Sequence, residues 1–595
     1  MRLLNASLDK AKFPTIPATL KLDYIKYRGK HFILNTGSLL AVQVADENEV
    51  KYILADPPKD HPISVGMEPN FQLLLPTSIR TIVLNVTHKC DLKCRYCFVS
   101  EYYGDGAQMS VETAITSLDR LLPTGVPTGR GISVGFFGGE PFLNQKVMEA
   151  VAYYMRGRLS PAKPRLSVTT NGTMINEKNI DWILNNLTSA IVSMEGVEEI
   201  HNHYRPMQNG NSFQATMRGL ELLKGNPICN AITLRSTYTA EDDTIVSRLE
   251  SLNELCDRGY AASVSVEPVY LSESSCIDRS MRITEADLES LGKIFEEAAD
   301  WYVARIKLGK TPRFHHFNKM IERILYRVAS PSECLIGDTK IPLLNNTEVS
   351  IKDLPTDKDF WVYSCASEGK IVPGKARSLG VTRKNAELVE VTLDNNETIK
   401  CTPDHKFMMR DGTYKEAKDL KSGDSGGLGV HKKYRHPINH KVLSVKVLDQ
   451  RDDVYDITVD TYHNFALSAG VFVHNCGAGN AYIGISPLGV LTSCHRENFT
   501  DIGHISYGFD EAKRAKWRDN RLYARKNCMD CSFKWLCGGG CRQDSLCQSG
   551  DITLPDEIRC RITNLIVKSS LWIICELGPE VLANYIKDPN EKKTA

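Results

Sequence analysis

The chain has 595 residues, 42% of them apolar and 24% charged, and a formal net charge of +1. At roughly 150 residues per domain this suggests about four folded units with ordinary cores, and so even a charge balance gives no reason to expect nucleic acid as a partner. No apolar run approaches the roughly 18 residues that span a bilayer, and the opening MRLLNASLDKAKF is too polar for a signal peptide, so the expectation is a cytoplasmic protein without membrane contact.

Residues 1–76 carry short β-rich stretches, KHFILNTG and SLLAVQVA among them, broken by Gly, Asn and Asp. They read as a small hairpin-containing domain. From 77 to 310 apolar strands alternate with amphipathic segments. Strands are expected over 81–87, 131–137, 165–170, 190–195, 231–238 and 262–270, with helices such as VETAITSLDRLL and NQKVMEAVAYYMRG between them. Six β/α units in series predict an α/β fold with a parallel sheet and right-handed crossovers, a partial (β/α)6 barrel. Chemistry in such barrels gathers at the C-terminal strand ends. A helix over 283–308 and another around 316–328 follow, the second in a bridging segment, 311–333. The texture then changes: 334–475 is all short strands and turns, 476–577 is loop-rich and cysteine-dense with an apolar helix near 561–577, and 578–595 is a tail.

The 18 cysteines are clustered rather than spread, which favours metal sites over a disulfide scaffold. In NVTHKCDLKCRYCFVS, Cys90, Cys94 and Cys97 form a C-x3-C-x2-C array directly after the first barrel strand. Three thiolates in one loop can hold three irons of a [4Fe–4S] cluster and leave the fourth open. A structural zinc site is the competing reading, but it wants four protein ligands. This array, with Tyr96 before its last cysteine, resembles the signature of the radical S-adenosylmethionine superfamily. The resemblance implies that the open iron chelates the amine and carboxylate of S-adenosylmethionine, and that reductive cleavage yields a 5′-deoxyadenosyl radical. Supporting motifs fall in register. Gly138-Gly139-Glu140-Pro141 follows the second strand, with Glu140 a candidate acceptor for the ligand's ammonium. Thr170, Asn171 and Gly172 follow the third. SMEGVEEIHNHYRP follows the fourth, making Ser193 a candidate for the ribose and Arg205 for the carboxylate.

In the second field, Cys476, Gly489 and Cys494 are followed by Cys528, Cys531, Cys537 and Cys541 in a C-x2-C-x5-C-x3-C run, then Cys560. One C-x2-C alone would favour zinc. The whole pattern is similar to the seven-cysteine SPASM extension of peptide- and protein-modifying radical enzymes. That resemblance implies two auxiliary clusters, an outer one on Cys528, Cys531, Cys537 and Cys560, and an inner one on Cys476, Cys494 and Cys541 whose fourth ligand is open; Cys547 is one candidate, a free thiol the other reading. It also implies a peptide or protein substrate and an electron donor such as flavodoxin or ferredoxin. Sulfatase-maturing relatives carry Asp after the second of these cysteines; here it is His495, which leans away from sulfatase maturation and toward modification of ribosomal peptides. A binding protein with zinc or clusters but no radical chemistry is the rival from another class. The stretch RGKHFILNTGSLLAVQVADENEVKYIL loosely resembles the leader-binding or hairpin regions of peptide maturases, a structural β cap being the alternative.

Cys334 opens CLIGDTKIPL, and TPDHKF (402–407), VYDITVDTYHNFAL (454–467) and VFVHNC (471–476) follow in order. Together they resemble the splicing blocks of an intein with an all-β Hint fold, a mini-intein of 142 residues from Cys334 to Asn475. The resemblance implies that Cys334 attacks the Glu333 carbonyl to form a thioester, a thiol being both nucleophile and leaving group. Thr402 and His405 would polarise that peptide. Cys476 takes the acyl group with help from Asp456, Asn475 cyclises with His474 and His463 assisting, and an S-to-N shift joins Glu333 to Cys476. The first cysteine of the SPASM-like set is therefore also the last splicing nucleophile.

Overall fold

The computed structural model describes all residues except 1, 5–21, 37–38, 56–62, 64–69, 72–80, 98–105, 123–131, 161–162, 243, 270–278, 330–334, 346, 357, 366–370, 404, 410–413, 426–428, 431–436, 439, 460–463, 469–471, 475–481, 496–500, 520–524, 526, 529 and 588–595. Two compact units are present, one of Met1–Tyr24, His31–Thr77 and Tyr326–Ala478, the other of Ile25–Lys30, Ser78–Leu325 and Gly479–Ala595.

The second unit is built on six parallel strands: β1 (Thr81–Thr87), β2 (Ser133–Gly138), β3 (Arg165–Thr170), β4 (Ser189–Ser193), β5 (Ile232–Tyr238) and β6 (Ser263–Pro268). The expected six strands are all there, shifted by at most two residues. In β5 the alternation ITLRSTY buries Ile232, Leu234, Ser236 and Tyr238 while Thr233, Arg235 and Thr237 stay half-exposed, the two-residue period of a strand with one apolar face. Helices α1 (Val111–Leu121), α2 (Gln145–Leu159), α3 (Ile180–Asn186), α4 (Glu198–Tyr204), α5 (Ser212–Leu223) and α6 (Ile245–Asp257) occupy the crossovers. α7 (Leu288–Lys307) begins five residues later than 283 because a capping box, Thr284 with Asp287, first turns the chain in a 3₁₀ step. α8 (His315–Leu325) and α9 (Glu557–Leu577) follow, with the shorter helices Glu511–Asp519, Lys534–Cys537 and Arg542–Ser549 between them; α9 starts before 561 because the Asp556 side chain accepts from Arg559 N at 3.0 Å. Beyond α9 the expected tail holds a helical turn, Pro579–Ala583, with Leu582 buried.

The sheet does not stop at β1. β7 (Tyr482–Ile485) pairs parallel to it, and β8 (Val490–Thr492), β9 (Asp501–His504) and β10 (Gly508–Phe509) extend it antiparallel, giving ten strands in the order β6-β5-β4-β3-β2-β1-β7-β8-β9-β10. The stretch that reads as loop-rich thus supplies four sheet strands. They are two to four residues long, too short to show a period.

Near the N-terminus, Lys30–Asn35 and Leu40–Val44 form the expected antiparallel hairpin, within a four-stranded sheet that also includes Arg2–Leu3 and Leu22–Tyr27. A helix absent from the sequence reading, Glu47–Ala55, buries Val50 and Ile53 against Ile33, Leu40 and Val42. Residues 335–474 are all β apart from two 3₁₀ turns among the described residues. Two long antiparallel strands, Ile371–Leu393 and Val442–Val459, dominate, over a core that includes Leu335, Val391, Ile457 and Phe465.

Candidate functional site

The C-terminal edge of β1–β4 is assembled by close backbone contact. Gly138 N-terminal to the motif glutamate has φ +135°, and a Cβ there would sit 2.1 Å from Thr87 O; at Gly139 it would sit 2.2 Å from Lys89 O. Only glycine fits. The gain is two backbone bonds, Gly139 N to Thr87 O at 2.7 Å and Glu140 N to Lys89 O at 2.8 Å, which fasten the β2 motif to the residues immediately before Cys90.

Glu140 is completely buried. One carboxylate oxygen accepts from the Thr170 hydroxyl at 2.7 Å and Phe142 N at 3.2 Å, the other from Asn171 N at 2.8 Å. Burial pushes its pKa up to about 7 despite those three donors, because none carries charge. The Asn171 amide donates to Asp91 at 2.8 Å and lies 3.8 Å from Cys90 Sγ; the Thr173 hydroxyl donates to Asp91 at 2.5 Å. The cysteine loop is thereby tied to β2 and β3 through polar groups.

A second carboxylate, Glu195, organises the other side, and sequence reasoning passed over it inside SMEGVEEIHNHYRP. It is also completely buried. Arg205 Nε donates to it at 2.7 Å, Arg248 Nη1 at 2.6 Å, Thr237 N at 3.1 Å and the Ser236 hydroxyl at 2.5 Å, with the Tyr96 hydroxyl a further donor. Burial alone would raise its pKa, but the two guanidinium groups outweigh it and hold the carboxyl at about 2. Arg248 also pairs with Asp242 and is fully enclosed on α6; an arginine on an amphipathic helix reads as solvent-facing, so no sequence signal marked it. Arg205 lies 5.2 Å over the Tyr96 ring and reaches Cys94 Sγ at 3.8 Å. Burial pushes the Cys94 thiol up to about 12, with Arg205 pulling the other way. His201, packed beside this network, is kept near 3, first by burial and then by Arg205. Ser193 ends β4, half-exposed, in register with Arg235.

The structure therefore gathers Cys90, Cys94, Tyr96, Gly138, Gly139, Glu140, Asn171 and Arg205 at one edge, with Cys97 N bonded to Cys94 O. The donor set suits a cluster: soft thiols on one loop, with amide and guanidinium N–H groups directed at two of the sulfurs.

Cys494 follows β8. Next to it, His495 lies edge-on to Phe137 with centroids 4.7 Å apart, has Nδ1 2.6 Å from the Tyr482 hydroxyl, and accepts at its carbonyl from Asn85 at 3.0 Å. Desolvation, and then the nearby Cys537, Cys528 and Cys531 thiols, push Cys560 up to about 12. Cys537 and Cys541 are joined by Gly538, Gly539 and Gly540, all with φ between +73° and +87°, a path that side chains rarely follow. Among the described residues, no three or more His, Cys, Asp or Glu groups already stand in a bare-ion geometry. Cys476 lies outside the described residues.

In the β-rich unit, Thr402, His405 and Asp456 are buried. Leu335 is paired with Cys401 on one side and Tyr455 on the other, so the strand that begins just after Cys334 runs between the neighbours of Thr402 and Asp456. Phe407 pairs with Val473, which lays the strand following His405 beside the one ending at His474. Cys334, His463 and Asn475 lie outside the described residues.

Residues 84–249 match the Radical SAM superfamily, and 341–475 match the Intein splicing domain. The radical SAM cyclopropyl synthase TigE of Paramaledivibacter caminithermalis is 25% identical over 190 residues, 29% of this chain and 40% of that one. The cysteine-type anaerobic sulfatase-maturating enzyme of Clostridium perfringens is 24% identical over 346 residues, 56% of this chain and 87% of its own. A solved structure described as native anSMEcpe with bound AdoMet aligns at 14% identity with a TM-score of 0.50, covering 83% of this chain and 98% of that chain, a likeness of fold. The first curated relatives are spanned only in part, over 9%, 52% and 40% of their length. The chain carries a radical SAM domain and an intein splicing domain. Among the described residues no helix is long and apolar enough to cross a membrane.

Proposed function

We propose that the spliced chain is a radical SAM enzyme of the SPASM type that modifies a peptide or protein, and that it is made as a precursor interrupted by its intein. The observation that supports this most is the thiol loop Cys90, Cys94 and Cys97, joined to the glutamate motif by the two glycine-dependent backbone bonds. Those three thiols would hold a [4Fe–4S] cluster, and Cys528, Cys531, Cys537 and Cys560, with Cys476, Cys494 and Cys541, would hold auxiliary ones. With S-adenosylmethionine bound, such a cluster supplies a 5′-deoxyadenosyl radical. The protein's part is positional. Asn171 and Arg205 orient N–H donors toward the sulfurs, and Glu195 holds Arg205 and Tyr96 in place. Glu140 locks the TNG turn to the thiol loop through Thr170 and Asn171; together with Ser193 it is also the candidate contact for the cofactor's polar groups.

Splicing would run from Cys334 through Cys476 and Asn475, with Thr402, His405, Asp456, His463 and His474 moving protons. Excision joins Glu333 to Cys476, so Cys476 can serve the inner cluster only afterwards. The precursor should therefore lack modifying activity. A splice-blocked Cys334→Ala, Asn475→Ala precursor that modified substrate at the rate of the spliced protein would sink that part.

The test of the main reading is anaerobic reconstitution of the spliced chain with iron and sulfide. The expected result is more iron than one four-iron cluster accounts for, and release of 5′-deoxyadenosine under dithionite. A triple Cys90→Ala, Cys94→Ala, Cys97→Ala variant should lose the release and keep the remaining iron. Iron limited to trace amounts, with no cleavage, would favour a zinc-binding protein instead. Sulfatase maturation is a second reading, supported by the extent of the Clostridium perfringens match and opposed by His495; conversion of a cysteine in a sulfatase-derived peptide to formylglycine would decide for it.

A further inference from the structure

At the far edge of the same sheet lies a titratable pair that the thiol loop and its cradle do not use. Glu267, near the end of β6, is in register with Thr237 of β5. Its carboxylate accepts from the Ser265 hydroxyl at 2.5 Å and stands 3.4 Å from Nε2 of His316, the second residue of α8. That nitrogen is buried and makes no hydrogen bond; the ion-pair contact is too poorly aligned to count as one. Leaving a buried ring nitrogen in this state costs free energy, which argues for a role beyond packing.

Charges of β5, β6 and α8 meet around His316: it acts on Glu267 and on His315, and Arg235 and Lys319 act on one or both of them. Its edge meets the ring of Phe314, 5.6 Å between centroids. Burial would raise Glu267, but His316 beside it, then Ser265 and Arg235, keep it well below the usual carboxylate range. An anionic neighbour at Nε2 favours the tautomer with its proton there, and leaves Nδ1 as the acceptor. The side chains of His316 and Glu267 keep 15% and 26% of their surface exposed. The pair is thus enclosed yet reachable, at the C-terminal end of a parallel strand, the edge from which the thiol loop also leaves β1.

We propose that His316, oriented by Glu267, accepts a proton from a thiol, hydroxyl or amide N–H of the peptide substrate at this edge, an inference that rests on the peptide-modifying reading above. The substrate's X–H bond breaks, its electron pair stays on X, and the proton forms an N–H bond at Nδ1. No electron moves in this step.

The spliced full chain, reconstituted with iron, sulfide and S-adenosylmethionine, is offered short synthetic peptides centred on Cys, Ser or Thr. Mass change is followed alongside peptide-free release of 5′-deoxyadenosine. His316→Gln should cut modification of the peptides that the wild type accepts by roughly a hundredfold, and leave peptide-free release within about twofold. His315→Gln should leave both unchanged. Glu267→Gln, which removes the anion that orients the ring, should cut modification by about tenfold, and Glu267→Asp should restore it to within about threefold of the wild type. That loss and its rescue decide the case even if His316→Gln fails to fold. Wild-type modification rates in His316→Gln, equal loss in His315→Gln, or no loss in Glu267→Gln would each overturn the assignment while sparing the peptide-modifying reading. A wild type that releases 5′-deoxyadenosine but alters no peptide would remove both.

Discussion

Two carboxylates lie fully buried at one edge of the parallel sheet, one after β2 and one after β4; burial raises the pKa of both, and their neighbours send them in opposite directions. Glu140 meets only neutral donors, Thr170, Asn171 N and Phe142 N, and its pKa climbs to about 7. Glu195 meets Arg205 and Arg248 and falls to about 2. Hydrogen bonds alone do not repay the desolvation of an anion; a facing cation does. The β2 region is therefore a lock that is indifferent or hostile to charge, and the β4 region is an ionic frame that depends on it.

The sharpest way to break this contrast is Glu195→Gln. It strands Arg205 without a buried counter-charge and leaves Arg248 only Asp242, so a loss of about 3–5 kcal/mol in unfolding free energy is expected by chemical denaturation. A loss under about 1 kcal/mol would mean that the frame is not ionic. Next is pH. Glu140, raised in the folded state, contributes stability that is complete below pH 4.5 and fades as pH rises through 7. Glu195, lowered, contributes stability that is present above pH 4.5 and fades as pH falls toward 2. Glu140→Gln should therefore remove a fall of roughly 3 kcal/mol between pH 4.5 and 7, and leave the acid side unchanged. Parallel stability curves for this variant and the wild type would refute it. Third, Gly139→Ala forces a Cβ against Lys89 O, with an expected cost of about 1–3 kcal/mol and faster hydrogen exchange at Glu140 N. The smallest effect is Ser236→Ala, which removes one of five donors to Glu195; about 1 kcal/mol is expected, and the remaining charges keep Glu195 ionised at neutral pH.

Much of this was readable in advance, for reasons particular residues make plain. β1 through β6 announce themselves because each alternates or runs apolar over five to seven residues, as TIVLNVT does. The thiols Cys90, Cys94 and Cys97, and Gly138-Gly139-Glu140, are local strings whose spacing carries their meaning. Other parts had no local signal. Glu195 and Arg248 are 53 positions apart and each is ordinary where it stands, an acid in a turn and a base on a helix. The strand Tyr482–Ile485 pairs with Thr81–Leu84 across some 400 residues, and four residues are too few to show a period. The helix Glu47–Ala55 was missed because its flanks read as turns and only Val50 and Ile53 are buried.

The sequence by itself determined the order of the β/α units, the break in texture at residue 334, and which cysteines fall into groups, since all three are properties of spacing and period along the chain. The tertiary structure alone decided which charges face each other. A pKa, a buried ion pair or an unaligned imidazole depends on distances across strand ends, and those are set by register and packing between segments that are remote in sequence.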